Sequence, residues 1–341
     1  MRAVATLHPL PISDEAALQD VVLPEPRAEG HDLLVRVAAI SVNPVDTKIR
    51  TRVDPGGVPK VLGWDAAGTV EAAGPDCTLF RPGDAVFYAG SVARPGCNSE
   101  LHLVDERIVG RKPATLDWIE AAALPLTSVT GWEMLFHRLD VRKPVPGAPN
   151  LLLVVGGAGG VGSITIQLAR RLTGLTVIAT ASRPETRQWA LDLGAHHVVD
   201  HSKPLVAEVA ALGLGAPAFV FSTTNTDRHL AEIVKLIAPQ GRFGLIDDPP
   251  ALDVNPFKAK SVSIHWELMF TRSTFDTADV AEQGALLNEV SRLVDQGKIR
   301  TTLAERFGAI NAANLRRAHA LIESGRTKGK IALAGFGAAA A

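Results

Sequence analysis

Three glycines at fixed spacing carry the plainest chemistry in this chain. The segment VVGGAGGVGSITIQLA places Gly157, Gly159 and Gly162 as GxGxxG, between an all-apolar run at 151–155 and helically spaced apolar residues at 161–172. In such a strand–turn–helix the first glycine permits the tight turn, the second lets backbone amides approach a pyrophosphate, and the third lets the helix pack closely on its sheet. Gly160 and Val161 then stand in the first helical turn, where unpaired N–H groups and the helix dipole favour an anion. The expected ligand is a dinucleotide. An NAD site places Asp or Glu about 20 residues past the motif, on the ribose 2′-hydroxyl. Here that place is taken by Ala181, Ser182 and Arg183, so no acid repels a 2′-phosphate. Ser182 is suited to donate a hydrogen bond, and Arg183 or Arg187 to pair with the charge; the plainer alternative is that both arginines are solvated residues at a helix start. His201 is a further candidate for the same phosphate. NADPH is the expected cofactor.

The elements around this turn repeat a rhythm. Strand-like runs at 151–155, 176–180, 197–200, 218–221 and 242–246 alternate with helical spacing at 161–172, 185–193 and 227–237, the pattern of a doubly wound parallel sheet. The strand end Phe221-Ser222-Thr223-Thr224 falls where such a sheet opens its ligand crevice, which makes Ser222 a candidate beside the adenosine ribose or the nicotinamide. The first hundred residues read differently. Short apolar runs at 33–40, 68–72 and 85–88, separated by Gly and Pro, suggest a small, mostly antiparallel β barrel or sandwich. Helical texture begins at Trp118, and a loop with Pro144, Pro146 and Pro149 leads into the parallel sheet. Beyond about Leu268, helices at 279–296 and 311–324 precede a strand at 330–333 that closes back onto the first domain. Residues 337–341 read as a low-complexity, disordered tail.

Bulk composition narrows the function classes. With 341 residues, two domains are the natural expectation. Thirty-five basic against 36 acidic residues, with no Lys/Arg block, argue against nucleic acid as a partner. No secretory signal and no stretch of membrane-spanning length is visible, and two cysteines, Cys77 and Cys97, exclude a disulfide framework; the expectation is a cytoplasmic protein.

The order Ser41-Val42-Asn43-Pro44-Val45-Asp46, Gly63-Trp64-Asp65-Ala66-Ala67-Gly68, Arg81-Pro82-Gly83-Asp84, Ala122-Ala123-Leu124-Pro125-Leu126-Thr127, Gly194-Ala195 and Gly329-Lys330 resembles the medium-chain dehydrogenase/reductase superfamily along nearly the whole chain. It is most similar to the quinone-oxidoreductase-like branch and to the zinc-type alcohol dehydrogenase-like subgroup. The resemblance implies a GroES-like substrate domain at 1–126, a Rossmann NADPH-binding domain at 127–267, a return segment at 268–341 completing the first domain, catalysis in the cleft between the domains, and commonly a homodimer. It also places Thr127 and Thr130 near the nicotinamide end of the cofactor, their alternative role being to cap a helix beginning near Ser128, and it counts Lys330 with the cofactor-binding residues.

In zinc-dependent relatives a Cys stands at the position of Asn43 and a His at that of Trp64. A catalytic zinc needs three good N, S or O ligands and an open position. With those two positions lost and no HExxH or CxxC spacing, no metal is expected. Reduction is then the easier direction: hydride transfer to a quinone or to the β-carbon of an enone puts negative charge on an oxygen that hydrogen-bond donors can stabilise. Asn43 is the expected donor. Asp46 either holds that loop or meets the nicotinamide side, or is a turn residue capping backbone N–H groups; Lys48 is a candidate donor or proton source, with an exposed lysine the plainer reading. Tyr88 is expected in a core or at a rim, and Trp64, Trp132, Trp266 and Phe270 are candidate apolar walls for a flat substrate. The leading expectation is a metal-free, NADPH-dependent reductase of quinones or α,β-unsaturated carbonyls. A metal-free alcohol or aldehyde oxidoreductase and a weakly catalytic NADPH-binding redox sensor are the alternatives.

Overall fold

The computed structural model describes residues 1–337, so 338–341 of the expected tail lie outside the described residues. The chain divides into two compact units, Met1–Val129 with Phe270–Ala341, and Thr130–Met269.

The N-terminal part of the first unit contains strands β1 (Arg2–Thr6), β2 (Gln19–Val22), β3 (Asp32–Val42), β4 (Lys60–Val61), β5 (Ala66–Ala73), β6 (Ala85–Tyr88), β7 (Leu101–Asp105) and β8 (Val109–Arg111), with helices α1 (Pro44–Arg52), α2 (Trp118–Ala122) and, running past the unit boundary, α3 (Pro125–Glu133). The second unit carries β9 (Leu151–Val155), α4 (Gly160–Leu172), β10 (Thr176–Thr180), α5 (Pro184–Asp192), β11 (His197–Val199), α6 (Leu205–Ala210), β12 (Phe219–Ser222), α7 (Thr226–Leu236), β13 (Arg242–Leu245) and β14 (Ser263–Trp266). The return segment adds α8 (Thr271–Phe275), α9 (Glu282–Asp295), β15 (Leu303–Arg306), α10 (Ala312–Glu323) and β16 (Lys330–Ala334).

In the second unit the six strands run in the order β11-β10-β9-β12-β13-β14, every neighbouring pair parallel. Strand β9 is Leu-Leu-Leu-Val-Val, buried at all five residues, as a central parallel strand covered on both faces must be. Its side chains Leu153 and Val155 share one core with Ile178, Val220, Ile233 and Phe243. The chain first builds outward from β9 through β10 to β11 and then crosses to β12. The carboxyl ends of β9 and β12 therefore flank the switch point of the sheet, the place where α/β folds bind ligands.

The first unit is mostly antiparallel, as expected. Strand β3 is its spine: β5, β7 and β16 all pair with it, β5 pairs with β6, and β6 with β8. The expected closure of the last strand is present, Ile331 lying opposite Val42 and Leu333 opposite Ile40. Helix α1 departs from the expectation of short strands alone. Pro44 at its start fixes φ without the loss of a hydrogen bond, and Asp46 supplies an acid to the first turn.

Candidate functional site

The glycine turn forms the geometry its spacing requires. Gly156, immediately after β9, has φ of +81°, and a Cβ there would lie 2.4 Å from Thr223 Oγ1. Thr223 in turn bonds the Val155 carbonyl through its amide (3.1 Å) and its hydroxyl (2.8 Å), so the ends of β9 and β12 are tied together at the switch point. A Cβ on Gly162 would stand 2.3 Å from the Gly156 carbonyl, and one on Gly157 2.7 Å from Ala179 Cβ. Gly159 is different: at φ −71° it caps α4, and the nearest obstacle to an added methyl is Gly156 O at 3.5 Å. Gly156, Gly157 and Gly162 are therefore demanded by packing, while Gly159 has room for a methyl and its bare backbone suits a close-approaching phosphate. Gly157 N–H is spent on Thr180 O at 3.1 Å. The amides of Gly160, Val161 and Gly162 occupy the first turn of α4, whose N–H groups have no partner inside the helix. The turn fits the pyrophosphate of a nicotinamide dinucleotide.

At the end of β10, Ser182 and Arg183 are both partly exposed, and Arg183 forms an ion pair with Glu185 at 3.3 Å. Arg187 has another task. Its guanidinium donates to the carbonyls of Ala181 (3.3 Å) and Val198 (2.9 Å), pinning α5 across the ends of β10 and β11. Of the two arginines, Arg183 is the better placed for a phosphate. His201 Nδ1 lies 3.0 Å from Thr180 Oγ1, and that oxygen accepts the Gly156 N–H at 3.0 Å, which links the histidine to the glycine turn. Ser222 does not present a free hydroxyl at the strand end: it is fully buried and bonded to Thr226 Oγ1 at 2.7 Å, at the start of α7.

The first unit holds a buried polar cluster that the sequence resolved only in part. Lys330, on β16, donates to Asp65 Oδ2 (2.9 Å), to Val42 O (3.1 Å) and to Asn43 Oδ1. Asn43 Nδ2 donates to the same Asp65 oxygen at 2.9 Å, and Leu126 N–H donates to Asp65 Oδ1 at 2.8 Å. All three ammonium protons and both carboxylate oxygens are thus engaged in a region where Asn43, Asp65 and Lys330 are at most 3% exposed. Antiparallel pairing of β16 with β3 brings this about, because it sets Lys330 beside the end of β3, where Asn43 follows. Lys330, expected with the cofactor-binding residues, is thus a member of this cluster. The Asn43 amide is turned into the cluster, and one of its hydrogens makes only a long contact to Ser41 O at 3.5 Å.

Asp46 accepts the Asn43 N–H at 2.8 Å from the third position of α1, which is the backbone-capping alternative, while its other oxygen is buried without a partner. Burial pushes its carboxyl up to about 7, against the opposing pull of the Asn43 N–H and Lys330. Burial also raises Asp65, with Lys330 and the Asn43 amide acting in the opposite direction. The Cys97 thiol is buried 3.4 Å from Asp65 O and is held far above its ordinary value, so it is a poor thiolate. Lys48 is partly exposed on α1.

Other candidates have structural partners. Thr127 and Thr130 lie inside α3, which starts at Pro125, so neither caps it; Thr127 Oγ1 bonds back to Leu124 O at 3.3 Å. Tyr88 is buried and stacked on His102, with its hydroxyl 3.1 Å from Nδ1. Trp64 is buried edge-on to Phe270 and donates to Ser91 O, Trp132 packs on Phe136, and Trp266 is 56% exposed on β14.

The residues of the buried cluster do not fit a zinc ion. Asn43 and Trp64 are not zinc ligands, both Asp65 oxygens are committed, and the ammonium of Lys330 supplies the positive charge the carboxylate needs. Among the described residues no group of three or more His, Cys, Asp or Glu side chains is assembled to hold a metal.

A parallel sheet with a phosphate-binding glycine turn, joined in one chain to a β-rich unit with a buried polar cluster, defines a dinucleotide-binding protein. The Alcohol dehydrogenase GroES-like domain model matches residues 29–114, and the Zinc-binding dehydrogenase model matches 193–333. The chain is 40% identical over 314 residues to a zinc-type alcohol dehydrogenase-like protein of Staphylococcus aureus, covering 91% of this chain and 92% of that one. It is 30% identical to the quinone oxidoreductase of Rattus norvegicus over 92% of each. A crystal structure from Rhizobium etli, provisionally described as a zinc-dependent alcohol dehydrogenase, matches with a TM-score of 0.98 at 68% identity, covering 99% of this chain and 98% of that one. The chain belongs to the medium-chain dehydrogenase/reductase superfamily. Among its described residues no helix is long and apolar enough to cross a membrane.

Proposed function

We propose that this protein is a metal-independent, NADPH-dependent reductase of quinones or α,β-unsaturated carbonyls. The observation that carries the reading is the pairing of a backbone phosphate turn at Gly157–Gly162 with Ser182 and Arg183, in place of an acid, at the end of β10. When bound there, the dinucleotide supplies a hydride. The amides of Gly160, Val161 and Gly162 would hold its pyrophosphate, and Ser182 with Arg183 its 2′-phosphate. The 30% identity to a quinone oxidoreductase supports the substrate class.

On the substrate side, Lys330 and Asp65 hold the Asn43 amide, and Asp46 holds its backbone N–H. One amide hydrogen of Asn43 makes only the weak contact to Ser41 O. We assign to that hydrogen the stabilisation of charge on the substrate oxygen, a job that needs a preorganised donor and no Lewis acid. A homodimer is the proposed assembly. Strand β14 is the last of its sheet, paired on one side only among the described residues, and exposes Trp266, with Leu268 exposed two residues beyond it.

The test is oxidation of NADPH and NADH by chelator-treated protein against quinones, enones, aldehydes and alcohols. Turnover of a quinone or enone with NADPH is the expected result; turnover of simple alcohols, or recovery of activity only with added zinc, overturns it. Arg183→Glu is expected to weaken NADPH by about tenfold more than NADH, an ion-pair loss of about 1.4 kcal/mol. Equal weakening of both cofactors removes Arg183 as a 2′-phosphate ligand.

A further inference from the structure

The second unit brings together two histidines that the phosphate turn itself does not need. His201 follows β11 and His229 lies in the first turns of α7, with ring centroids 6.1 Å apart and planes tilted by 54°. The first ring is fixed through Thr180 Oγ1 to the Gly156 amide, so it is held to the same turn that would receive the pyrophosphate. Charged groups reach the pair from every neighbouring element. Arg183, from the turn before α5, opposes protonation of His201, and Arg228, on α7, together with the His201 ring opposes that of His229; Asp200 at the end of β11 favours it for His201, and Asp227 on α7 and Asp247 after β13 favour it for His229. Asp247 is already occupied with Thr226, accepting its N–H at 2.9 Å and its hydroxyl.

Burial is the largest influence and lowers both imidazoles, so both rings are neutral near pH 7 in the free protein. Two neutral, half-buried rings beside an arginine lack only an anion to become a cationic site. A 2′-phosphate held by Arg183 supplies two negative charges at that place. We propose that His201 and His229 form an imidazole pair that takes up a proton when a 2′-phosphate binds beside Arg183, so that the preference for NADPH over NADH rises as pH falls. The inference rests on the NADPH reading above. It makes His229 a specificity-determining residue that sequence spacing did not single out.

The proton balance is simple: one proton leaves the buffer and enters the pair, and no bond of the cofactor changes. Calorimetric titration of the full chain at pH 7.5, in two buffers of different ionisation enthalpy, measures it without turnover. At that pH a free phosphate monoester, with a second pKa of about 6, is nearly fully dianionic, so uptake reports on the protein. Between about half a proton and one proton is expected per NADPH, and close to none per NADH. The NADPH Kd is expected to weaken by about threefold to tenfold from pH 7 to pH 8, while the NADH Kd changes less than about twofold. His201→Asn/His229→Asn is expected to abolish the uptake and flatten the NADPH profile, and His229→Asn alone to reduce both, with NADH affinity unchanged in that single variant. Uptake that persists in the double variant, or that is equal for both cofactors, overturns the inference. No preference for NADPH at any pH defeats the cofactor reading instead, which separates the two failures.

Discussion

Replacing Lys330 with Met tests whether the buried cluster is held together as described. The substitution keeps the apolar stem but removes an ammonium that bonds Asp65, Asn43 and Val42. Asp65 then retains two donors, Asn43 Nδ2 and Leu126 N–H, and no cation in contact. Removing one partner of a buried ion pair costs about 3–5 kcal/mol. A second route gives the same size: if Asp65 protonates to escape its buried charge, starting from an unfolded value of about 3.9, the cost at pH 7 is about 4 kcal/mol. That is a large share of a total stability of about 5–15 kcal/mol. The second route also fixes a sign. A carboxyl with a raised folded-state pKa binds protons more tightly in the folded protein, so its contribution is lost as pH rises, and the penalty of Lys330→Met should shrink by about 1.4 kcal/mol for each pH unit from 7 to 5. Urea unfolding at pH 5, 6 and 7 measures it, with an unchanged slope against urea as the check on two-state behaviour. Lys330→Met/Asp65→Asn removes both charges and should recover most of the loss at pH 7. A single variant that loses less than about 1 kcal/mol, independent of pH, would show that Lys330 does not neutralise Asp65 and would refute the reasoning.

Three further outcomes follow from the same geometry. Asp46, raised to about 7 against an ordinary 3.8, binds its proton more tightly when folded, so wild-type stability should fall as pH rises from about 4 to about 7; Asp46→Asn keeps an acceptor for the Asn43 N–H and should flatten that slope, gaining up to about 4 kcal/mol relative to wild type at pH 8. An unchanged slope in urea titrations would place the ionisation elsewhere. Gly159→Ala should stay within about 0.5 kcal/mol of wild type in stability yet weaken NADPH by about tenfold or more in fluorescence titration, whereas Gly162→Ala, whose methyl meets the Gly156 carbonyl, should lose about 1–3 kcal/mol. If both behave alike, the separation between packing glycine and ligand glycine is wrong. Trp266→Lys on β14 should convert a two-chain mass to a one-chain mass in light scattering, without loss of helical signal; an unchanged mass moves the proposed interface away from this strand.

What could be read from the sequence depended on how local the governing contact is. Strands β9 and β10 fall at the residues expected, and α4 and α7 within one residue, because a five-residue apolar run and an amphipathic period are written in consecutive positions. The glycine turn was legible for the same reason. Helix α1 was not, since its nine residues are mostly polar and bury Asp46, Thr47 and Arg50 in place of an apolar stripe. Ser222 lies at the strand end expected, but the partner of its hydroxyl was not legible, because it comes from Thr226, on the next helix. Arg187 shows the same limit, because the carbonyls it binds lie on two strands that become adjacent only in the sheet.

The buried cluster is the extreme case, and it explains why the last strand must return to the first unit. Its ion pair joins residues 265 positions apart, and the bond to Asn43 spans 287. Until β16 pairs with β3, Asp65 has only neutral donors, and a buried carboxylate with neutral donors alone is strongly disfavoured. A chain that stopped after β14 would therefore contain every residue of the dinucleotide turn and every strand of its sheet, yet leave the Asn43 loop beside an uncompensated carboxylate. The two sites thus make different demands on the polypeptide: the nucleotide turn is complete within residues 151–183, and the cluster proposed to orient the substrate donor is complete only when Lys330 arrives. Lys330 is consequently a positioning residue for Asn43, acting through the amide it holds.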